Sequence, residues 1–486
     1  MIRPSMEEAR DLSRTNRVIP IAMEIFADVK TPIQLLATIR KRSNDWFILE
    51  SVSGSDNWGR YTFLGYKPSR SIFGTQGTVT IESKGIETVE QGSAFSIIRR
   101  ILSEHKSPRI DYLPPFTGGF VGYFAYDFVQ ELIPKLELTN KKDLDFHDFH
   151  LMLIDKVITF DNFEQKIFLI TNIASEDLEN NYIEGITTLK DMEKLVLENH
   201  VLDTEDSSIC GLFEDACTQD EFEEMVEQVK AHIFEGDIFQ AVISNRSKAS
   251  FKGDLMGTYR RLRTSNPSPY MVYMRLDDIE IACASPETLV SLRDGEVISF
   301  PLAGTCARGE NEEQDAALID ALLHNEKECS EHDMLVDLAR NDLGRVCRFG
   351  SVDVREHRKI KKFAHVSHIA SRVSGELKQE ADALDVIAAT LPAGTLSGAP
   401  KKRACEIIDE IESVARGIYG GAIGYIDFAG NMDMCIGIRM AILKDDQVMV
   451  QSGAGIVADS DASQEYLETK YKARAMMNAI TSDSRR

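Results

Sequence analysis

The sequence predicts an α+β fold in which antiparallel sheets carry helices on their outer faces. Three observations lead there. Strand-like apolar runs follow one another directly at 270–275, 279–285, 289–292 and 297–300, with no helical pattern between them. A second such series, 423–427, 434–443 and 448–452, stands near the C-terminus. The 3.6-residue patterns stand apart from these series, at 218–236, 314–323, 327–340, 383–390 and 401–413. Successive strands followed by helices, rather than strict alternation, favour antiparallel sheets with helices outside.

In chain order, 31–40 reads as a short helix and 46–51 as a strand ending in polar groups. Residues 53–60 are turn-rich, 61–66 is a second strand, and 116–124 is a strand punctuated by glycines. The runs 151–158 and 166–170 suggest a hairpin around Asp161-Asn162. Between 199 and 215 the chain turns acidic and loses periodicity. The expected organisation is an α+β domain over 1–200, a linker over 201–216 and a second domain over 217–483. Thr218 starts an amphipathic helix with Phe222, Met225, Val226, Val229 and Ile233 on one face; Gly236 ends it, and a strand follows over 238–244. Near the C-terminus, Val448 and Val450 alternate into Gly453-Ala454-Gly455, read as a turn whose amides can approach a ligand. Asp459-Ser460-Asp461 and Ser463 then offer cap chemistry for a helix through Met477.

A chain of 486 residues allows two or three domains. Hydrophobic content of 43% and charged content of 27% suit a soluble globular protein, and no apolar run is long enough to span a bilayer. The first residues lack the apolar core of a signal peptide. Eight scattered cysteines without a Cys-x-x-Cys suggest neither a disulfide framework nor a zinc site, so a reducing cytoplasm is the expected location. The net charge of −23 argues against nucleic acid as a main partner, and the basic cluster at 358–362 reads as a solvated face. An anionic small substrate would need local cations against this overall field.

On the C-terminal helix, Glu465, Glu468 and Lys472 share one face at i, i+3 and i+7. A solvated helix with an ordinary Glu468–Lys472 pair explains this stretch better on its own, until a second Glu-x-x-Glu is considered. Glu328 and Glu331 lie on the stripe of Leu335 and Leu338, so both carboxylates should point inward. Buried carboxylates need a cation or hydrogen-bond partners, which Arg340, Arg345 or a metal could supply. Two such helices favour a metal, and an all-oxygen donor set indicates Mg²⁺ rather than zinc. Four carboxylates exceed what Mg²⁺ takes directly, so some should act through water.

Ser285-Pro286-Glu287 closes a strand with a carboxyl group, a common strand end that burial would convert into a general acid. The turn over 300–305, with Gly304 and Thr305, could line a pocket. His365 and His368 lie three apart in an apolar segment, a pattern shared with packed core histidines. Arg439, among Ile436, Ile438 and Met440, reads as an arginine inside an apolar strand and so requires an anion. There is no Gly-x-Cys-x-Gly nucleophile turn, no GxGxxG and no Gly-Lys-Ser/Thr phosphate loop.

These segments together resemble the large subunits of anthranilate synthase, within the chorismate-utilising enzymes. The resemblance runs through GDIFQA at 236–241, Ser285-Pro286-Glu287, PLAGT at 301–305, DLARND at 337–342, PAGTLSGAP at 392–400, the Tyr-Gly-Gly at 419–421, GIRMA at 437–441 and GAGIVADS at 453–460. It implies stacked antiparallel sheets flanked by helices, chorismate as substrate, and Mg²⁺ held by Glu328, Glu331, Glu465 and Glu468 directly or through water. Arg439, Tyr419, Lys472 and the amides of Gly453, Ala454 and Gly455 match positions that bind substrate carboxylates. Gln240, Gly304, Thr305 and Thr395 match other residues of that pocket. Glu287 matches the acid that protonates the leaving hydroxyl as ammonia attacks ring carbon 2, and His368 a histidine associated with loss of pyruvate.

Two positions separate the chain from relatives. Isochorismate and salicylate synthases carry a lysine base where this chain has Gln240, and a neutral amide cannot deprotonate water. Aminodeoxychorismate synthases carry a nucleophilic lysine where this chain has Ala303. The resemblance further implies a separate glutamine amidotransferase subunit as ammonia source. It also implies a tryptophan inhibitor site where the two halves meet, from Glu50, Ser51, Asn266, Pro269, Tyr270 and Met271. There Glu50 would accept from the α-ammonium while Tyr270 and Met271 wall the indole. Alternatives are an aminodeoxyisochorismate synthase, which stops before pyruvate is lost, an aminodeoxychorismate synthase, and a catalytically silent tryptophan-binding regulator.

Overall fold

A computed structural model describes residues 2–51, 59–140, 142, 144–198, 207–309, 311–362 and 366–481. Its strands form two sheets, of 13 and 12 strands, and their pairings are antiparallel. In the first, Ile2–Arg3, Val18–Phe26, Lys166–Ala174, Lys156–Asp161, Tyr61–Tyr66 and Trp46–Glu50 lie in that spatial order. Tyr270–Leu276, Ile279–Ser285, Met440–Lys444, Gln447–Ile456, Gln240–Lys252 and Ser208–Asp215 continue the same sheet, and Gly398–Ala399, paired with Gln240–Lys252, is its thirteenth strand. The second runs through Leu302–Ala307, Val366–Glu376, Glu296–Ser299, Thr288–Arg293, Met432–Ile436 and Ala422–Asp427. Gly119–Phe124, Phe149–Ile154, Arg70–Thr75, Thr78–Ser83 and Ile86–Gln91 continue it, and Asp353–Lys362, paired with Val366–Glu376, is its twelfth strand.

Both sheets therefore join the two halves of the chain. Trp46–Glu50 pairs with Tyr270–Leu276, setting Glu50 opposite Met271, and Gly119–Phe124 pairs with Ala422–Asp427. Strand alternation divides the apolar residues between two cores. Phe47 and Leu49 meet Phe116, Val121 and Tyr425 between the sheets. Trp46 and Ile48, on the opposite face, pack with Leu35, Leu36, Leu189 and Met476 from the covering helices Pro32–Arg40, Leu178–Leu197 and Ala462–Thr481. On the outer face of the second sheet Phe124 packs against Phe95 of the helix Ala94–Glu104, so the layers run helices, sheet, sheet, helices.

Helix starts follow their caps. Thr31 and Thr218 each form a reciprocal capping box, with Gln34 and Glu221, and Gly236 ends the second helix at φ +83°. Asn325 caps the helix Glu326–Val346 by accepting from the amides of Lys327 and Glu328, which places Glu328 in its first turn.

Five sequence expectations are corrected. The turn expected over 300–305 is largely strand, Leu302–Ala307, paired with Val366–Glu376. The run 151–158 is two strands in different sheets, Phe149–Ile154 and Lys156–Asp161, with the crossover at Asp155; the hairpin is the second of these with Lys166–Ala174. The run 434–443 divides likewise into Met432–Ile436 and Met440–Lys444. A continuous apolar run carries no period to mark such breaks. Arg439 thus sits in a sheet-to-sheet crossover, at φ +51°, and not within a strand. Gly453-Ala454-Gly455 is no turn but part of Gln447–Ile456, with Gly453 opposite Ser244 and Gly455 opposite Val242. Of the expected linker, 201–206 lies outside the described residues, and Ser208–Asp215 is an edge strand whose Ile209 and Phe213 pack on the core. The turn-rich stretch 53–60 and His365 lie wholly or largely outside the described residues.

Candidate functional site

A cleft of about 400 Å³ opens where the C-terminal helix Ala462–Thr481 crosses the end of the first sheet. The helix Glu326–Val346 contributes Glu328 and Glu331 to one wall, and Ala462–Thr481 contributes Glu465, Glu468 and Lys472 to another. Gln240 starts one strand, Glu287 follows Ile279–Ser285, Thr395 sits in the 3₁₀ turn Gly394–Leu396, and Tyr419 and Arg439 precede strands. Thr305, His368, Gly453 and Gly455 complete the expected set in the lining. Ala454 is fully buried and turns into the apolar cluster behind the cleft, as its place in a strand requires. Gly304 meets the site through its carbonyl, 3.2 Å from His368 Nδ1.

The glycine strand keeps amides available without being a turn. Ser244 donates its N–H to Glu412 and Val242 donates its N–H to Ser397, so neither bonds across to the glycine strand. In an antiparallel pair their opposite residues, Gly453 and Gly455, also point N–H and C=O away from that neighbour. On the other side, the strand Met440–Lys444 reaches only to Val450. A Cβ at Gly455 would stand 2.5 Å from Gln240 Nε2, and one at Gly453 2.9 Å from Tyr419 Oη. Only glycine permits both side chains to lie against this strand.

Glu287 accepts from Thr395 Oγ1 at 3.0 Å. Burial pushes its carboxyl up to about 7, against the opposing pull of the Thr395 hydrogen bond and the Lys472 charge. A carboxyl so placed holds a proton near neutrality and can release it. His368 Nδ1 lies 2.9 Å from Thr305 Oγ1 as well as facing the Gly304 carbonyl. A carbonyl can only accept, so Nδ1 carries the proton and Nε2 the lone pair. Burial and then the Arg439 charge hold this imidazole below its usual range, in the neutral form, with the Gly304 bond opposing.

Lys472 Nζ donates to the Gly453 carbonyl at 2.9 Å and pairs with Glu468 at 2.6 Å, so the i+4 pair does form. Glu468 is half-exposed, and Glu328 and Glu331 face the cleft rather than the core. Burial raises the carboxyl of Glu331, and the negative charge of Glu328 adds to it, followed by Asp459 and Glu465. Glu465 is raised by burial and by Glu468, although Ser460 donates to it at 2.7 Å. Acidic groups that repel one another across a cleft, all with hard oxygen donors, fit a dication of the Mg²⁺ type. Among the described residues, the group whose ligand atoms come within 4.8 Å of one another is instead His232, Glu235 and Asp237, where Arg403 already pairs with Asp237. The four glutamates stand further apart, a spacing suited to ligation partly through water.

Arg439 reaches the Lys472 carbonyl at 3.3 Å. Among the described residues it has no carboxylate partner, and burial lowers its affinity for its proton. Sequence reasoning passed over Gln451, Ser452 and Lys327, which also line the cleft. Gln451 and Ser452 carried a signal, as two polar residues closing an apolar alternation.

The residues expected at the junction of the halves are arranged differently. Glu50 already accepts from Arg263 Nε and Tyr259 Oη, both at 2.5 Å. Tyr270 and Met271 are consecutive in a strand and face opposite cores, so they do not form one wall. Tyr270 Oη instead donates within the protein, to Thr288 at 2.8 Å or Asp433 at 3.0 Å. Asn266 and Pro269 are part-exposed, and Ser51 Oγ is buried without a hydrogen-bond partner among the described residues.

The family model described as chorismate binding enzyme matches residues 54–478. Anthranilate synthase component 1 of Acetivibrio thermocellus is 40% identical over 99% of this chain and 99% of its own length. The component of the same name from Aquifex aeolicus is 41% identical, over 98% and 97%. The crystal structure of anthranilate synthase component I from Streptococcus pneumoniae superposes with a TM-score of 0.78 at 35% identity, covering 93% of this chain and 98% of that one. The menaquinone-specific isochorismate synthase of Escherichia coli shares the fold, with a TM-score of 0.72 at 19% identity over 98% and 99%. This chain belongs to the chorismate binding enzymes, in the branch of the anthranilate synthase component 1 chains.

Proposed function

We propose that the chain is an anthranilate synthase large subunit, converting chorismate and ammonia to anthranilate, pyruvate and water. The observation that carries this reading is the cleft itself: a buried carboxyl raised to about 7, Glu287, shares it with two cations, Arg439 and Lys472, and four glutamates. Arg439 and Lys472, with the outward amides of Gly453 and Gly455, receive the carboxylates of the substrate. Ammonia adds at ring carbon 2, and the electron pair moves through the ring to expel the carbon 4 hydroxyl. Glu287 gives that hydroxyl its proton, so it departs as water. His368 Nε2 then offers the lone pair for the proton lost from carbon 2 as the enolpyruvyl group leaves. Gln240 lines the cleft but is no base for water, and Ala303, also in the lining, offers no nucleophile. Glu328, Glu331, Glu465 and Glu468 would hold Mg²⁺, which supplies Lewis-acid polarisation and a template when bound.

Ammonia comes, in this reading, from a glutamine amidotransferase subunit. Burial pushes the thiol of Cys306 up, which disfavours the thiolate a glutaminase needs. The test supplies the purified chain with chorismate, a magnesium salt and an ammonium salt at alkaline pH. Anthranilate and pyruvate should appear in equal amounts, and glutamine alone should give neither. Glutamine-dependent turnover by the single chain would remove the partner. An aminated product without pyruvate would point to an aminodeoxyisochorismate synthase.

We also infer that tryptophan inhibits by binding near Ser51, whose buried hydroxyl without a partner among the described residues is the supporting observation. Because Arg263 and Tyr259 occupy Glu50, the ammonium would share that carboxylate with them. Ser51→Phe should keep ammonia-dependent activity and lose tryptophan inhibition. In the parent, chorismate should weaken tryptophan binding by the factor that tryptophan weakens chorismate binding. A parent enzyme indifferent to tryptophan at low chorismate ends this part of the reading.

A further inference from the structure

Behind the cleft, and not lining it, lies a buried ion pair between Glu412 and Arg416. Arg416 grips Glu412 with two nitrogens, Nε at 2.9 Å and Nη2 at 2.6 Å. Its Nη1 donates to the Leu396 carbonyl at 2.5 Å and its Nη2 also to the Val242 carbonyl at 2.6 Å. Glu412 accepts in turn from the backbone N–H of Ser244 at 2.7 Å and its hydroxyl at 2.8 Å. The guanidinium carbon stands 5.9 Å from the centre of the Tyr419 ring. Removing two charges from water is unfavourable, and apolar residues of similar volume often stabilise a core as well. The distinctive property of this pair is what its bonds hold. Leu396 ends the turn that presents Thr395 to Glu287, while Val242 and Ser244 stand opposite Gly455 and Gly453.

We propose that Glu412 and Arg416 are positioning residues for the reaction, fixing the Thr395 turn and the strand opposite the glycines. The inference rests on the reading of Glu287 as the acid. A fork of donors is needed, because one ammonium cannot reach Glu412 and both carbonyls at once. Substrate carboxylates, by contrast, are received by Arg439 and Lys472 and by the amides of Gly453 and Gly455, to none of which the pair bonds directly. Loss of the fork should therefore act on kcat, and leave KM for chorismate nearly in place.

The experiment compares Arg416→Lys, Glu412→Gln, Thr395→Val and the double variant Arg416→Lys/Thr395→Val, each assayed with ammonia below its melting temperature. Arg416→Lys should lower kcat by roughly a hundredfold, the scale of a misplaced reacting group, with KM for chorismate changed less than about threefold. Glu412→Gln should act in the same direction. Because Arg416 works through the Thr395 turn, the double variant should be no slower than Arg416→Lys alone. An unchanged kcat, a loss confined to KM, or fully multiplicative effects in the double variant would overturn the inference. Glu287→Gln, run in parallel, separates the two readings. If it turns over like the parent, the acid assignment falls; if it is inactive while Arg416→Lys is normal, only the positioning role falls.

Discussion

Glu287→Gln lowers ammonia-dependent turnover about 10³-fold, the scale of a lost general acid, and makes the protein more stable above neutral pH. Both effects have one cause. The carboxyl is raised from 4.5 to about 7 because the folded protein keeps water away from it. Between those two values the folded state binds more protons than the unfolded one, so this group's contribution to stability falls as pH rises through the window. Glutamine never takes the charge. Above pH 7 the variant should gain about 2 kcal/mol, after allowing for the cleft's access to solvent, and below pH 4.5 it should match the parent. In the parent, kcat at constant free ammonia should decline as pH rises through about 7, where the acid loses its proton. The variant should lack that limb. Rates with chorismate and ammonia across pH 6–9, beside urea unfolding at pH 4.5 and 8, check the pair of effects. A fast variant that retains the limb would assign the proton to another group.

Much of this arrangement follows from local pattern. The helix over 383–390 is bounded where the apolar period and Asp382 place it, and Thr218 and Gly236 bracket theirs. The two Glu-x-x-Glu faces are legible because helical spacing alone puts both carboxylates on one side. What local pattern cannot carry is the path between layers. The apolar residues on both sides of Asp155 satisfy one core between the sheets or another under the helices equally well, so no period marks the change of sheet. The same holds at 437–439, where a single left-handed residue, Arg439, turns the chain. Nor does spacing reveal partners. Thr395 meets Glu287 across 108 positions of sequence and Arg263 meets Glu50 across 213, and those contacts decide what each carboxylate is bonded to and how available it is to a ligand.

Arg439→Met raises KM for chorismate about a hundredfold, with a small change in kcat, and leaves the ligand-free protein more stable than its parent. The guanidinium is placed at some expense to the fold. The backbone at φ +51° strains arginine and methionine alike, so the gain comes from the charge, which has no carboxylate at ion-pair distance among the described residues and only the longer-range pull of Glu468. Burial of a lone cation is unfavourable, which is why its proton is held less tightly than usual. A ligand carboxylate offers what the protein withholds, two acceptors in the plane of the fork. Removing one member of such a pair is worth about 3 kcal/mol, or roughly a hundredfold in affinity. The contact is present before and during reaction alike, so its loss appears in KM rather than kcat. Thermal melting gives the independent readout: chorismate should raise the parent's melting temperature and leave that of Arg439→Met nearly unmoved. Arg439→Lys, which keeps the charge without the fork, should fall between them. A variant with parental KM would make the arginine structural. One that is less stable without ligand would show its bond to the Lys472 carbonyl outweighing the buried charge.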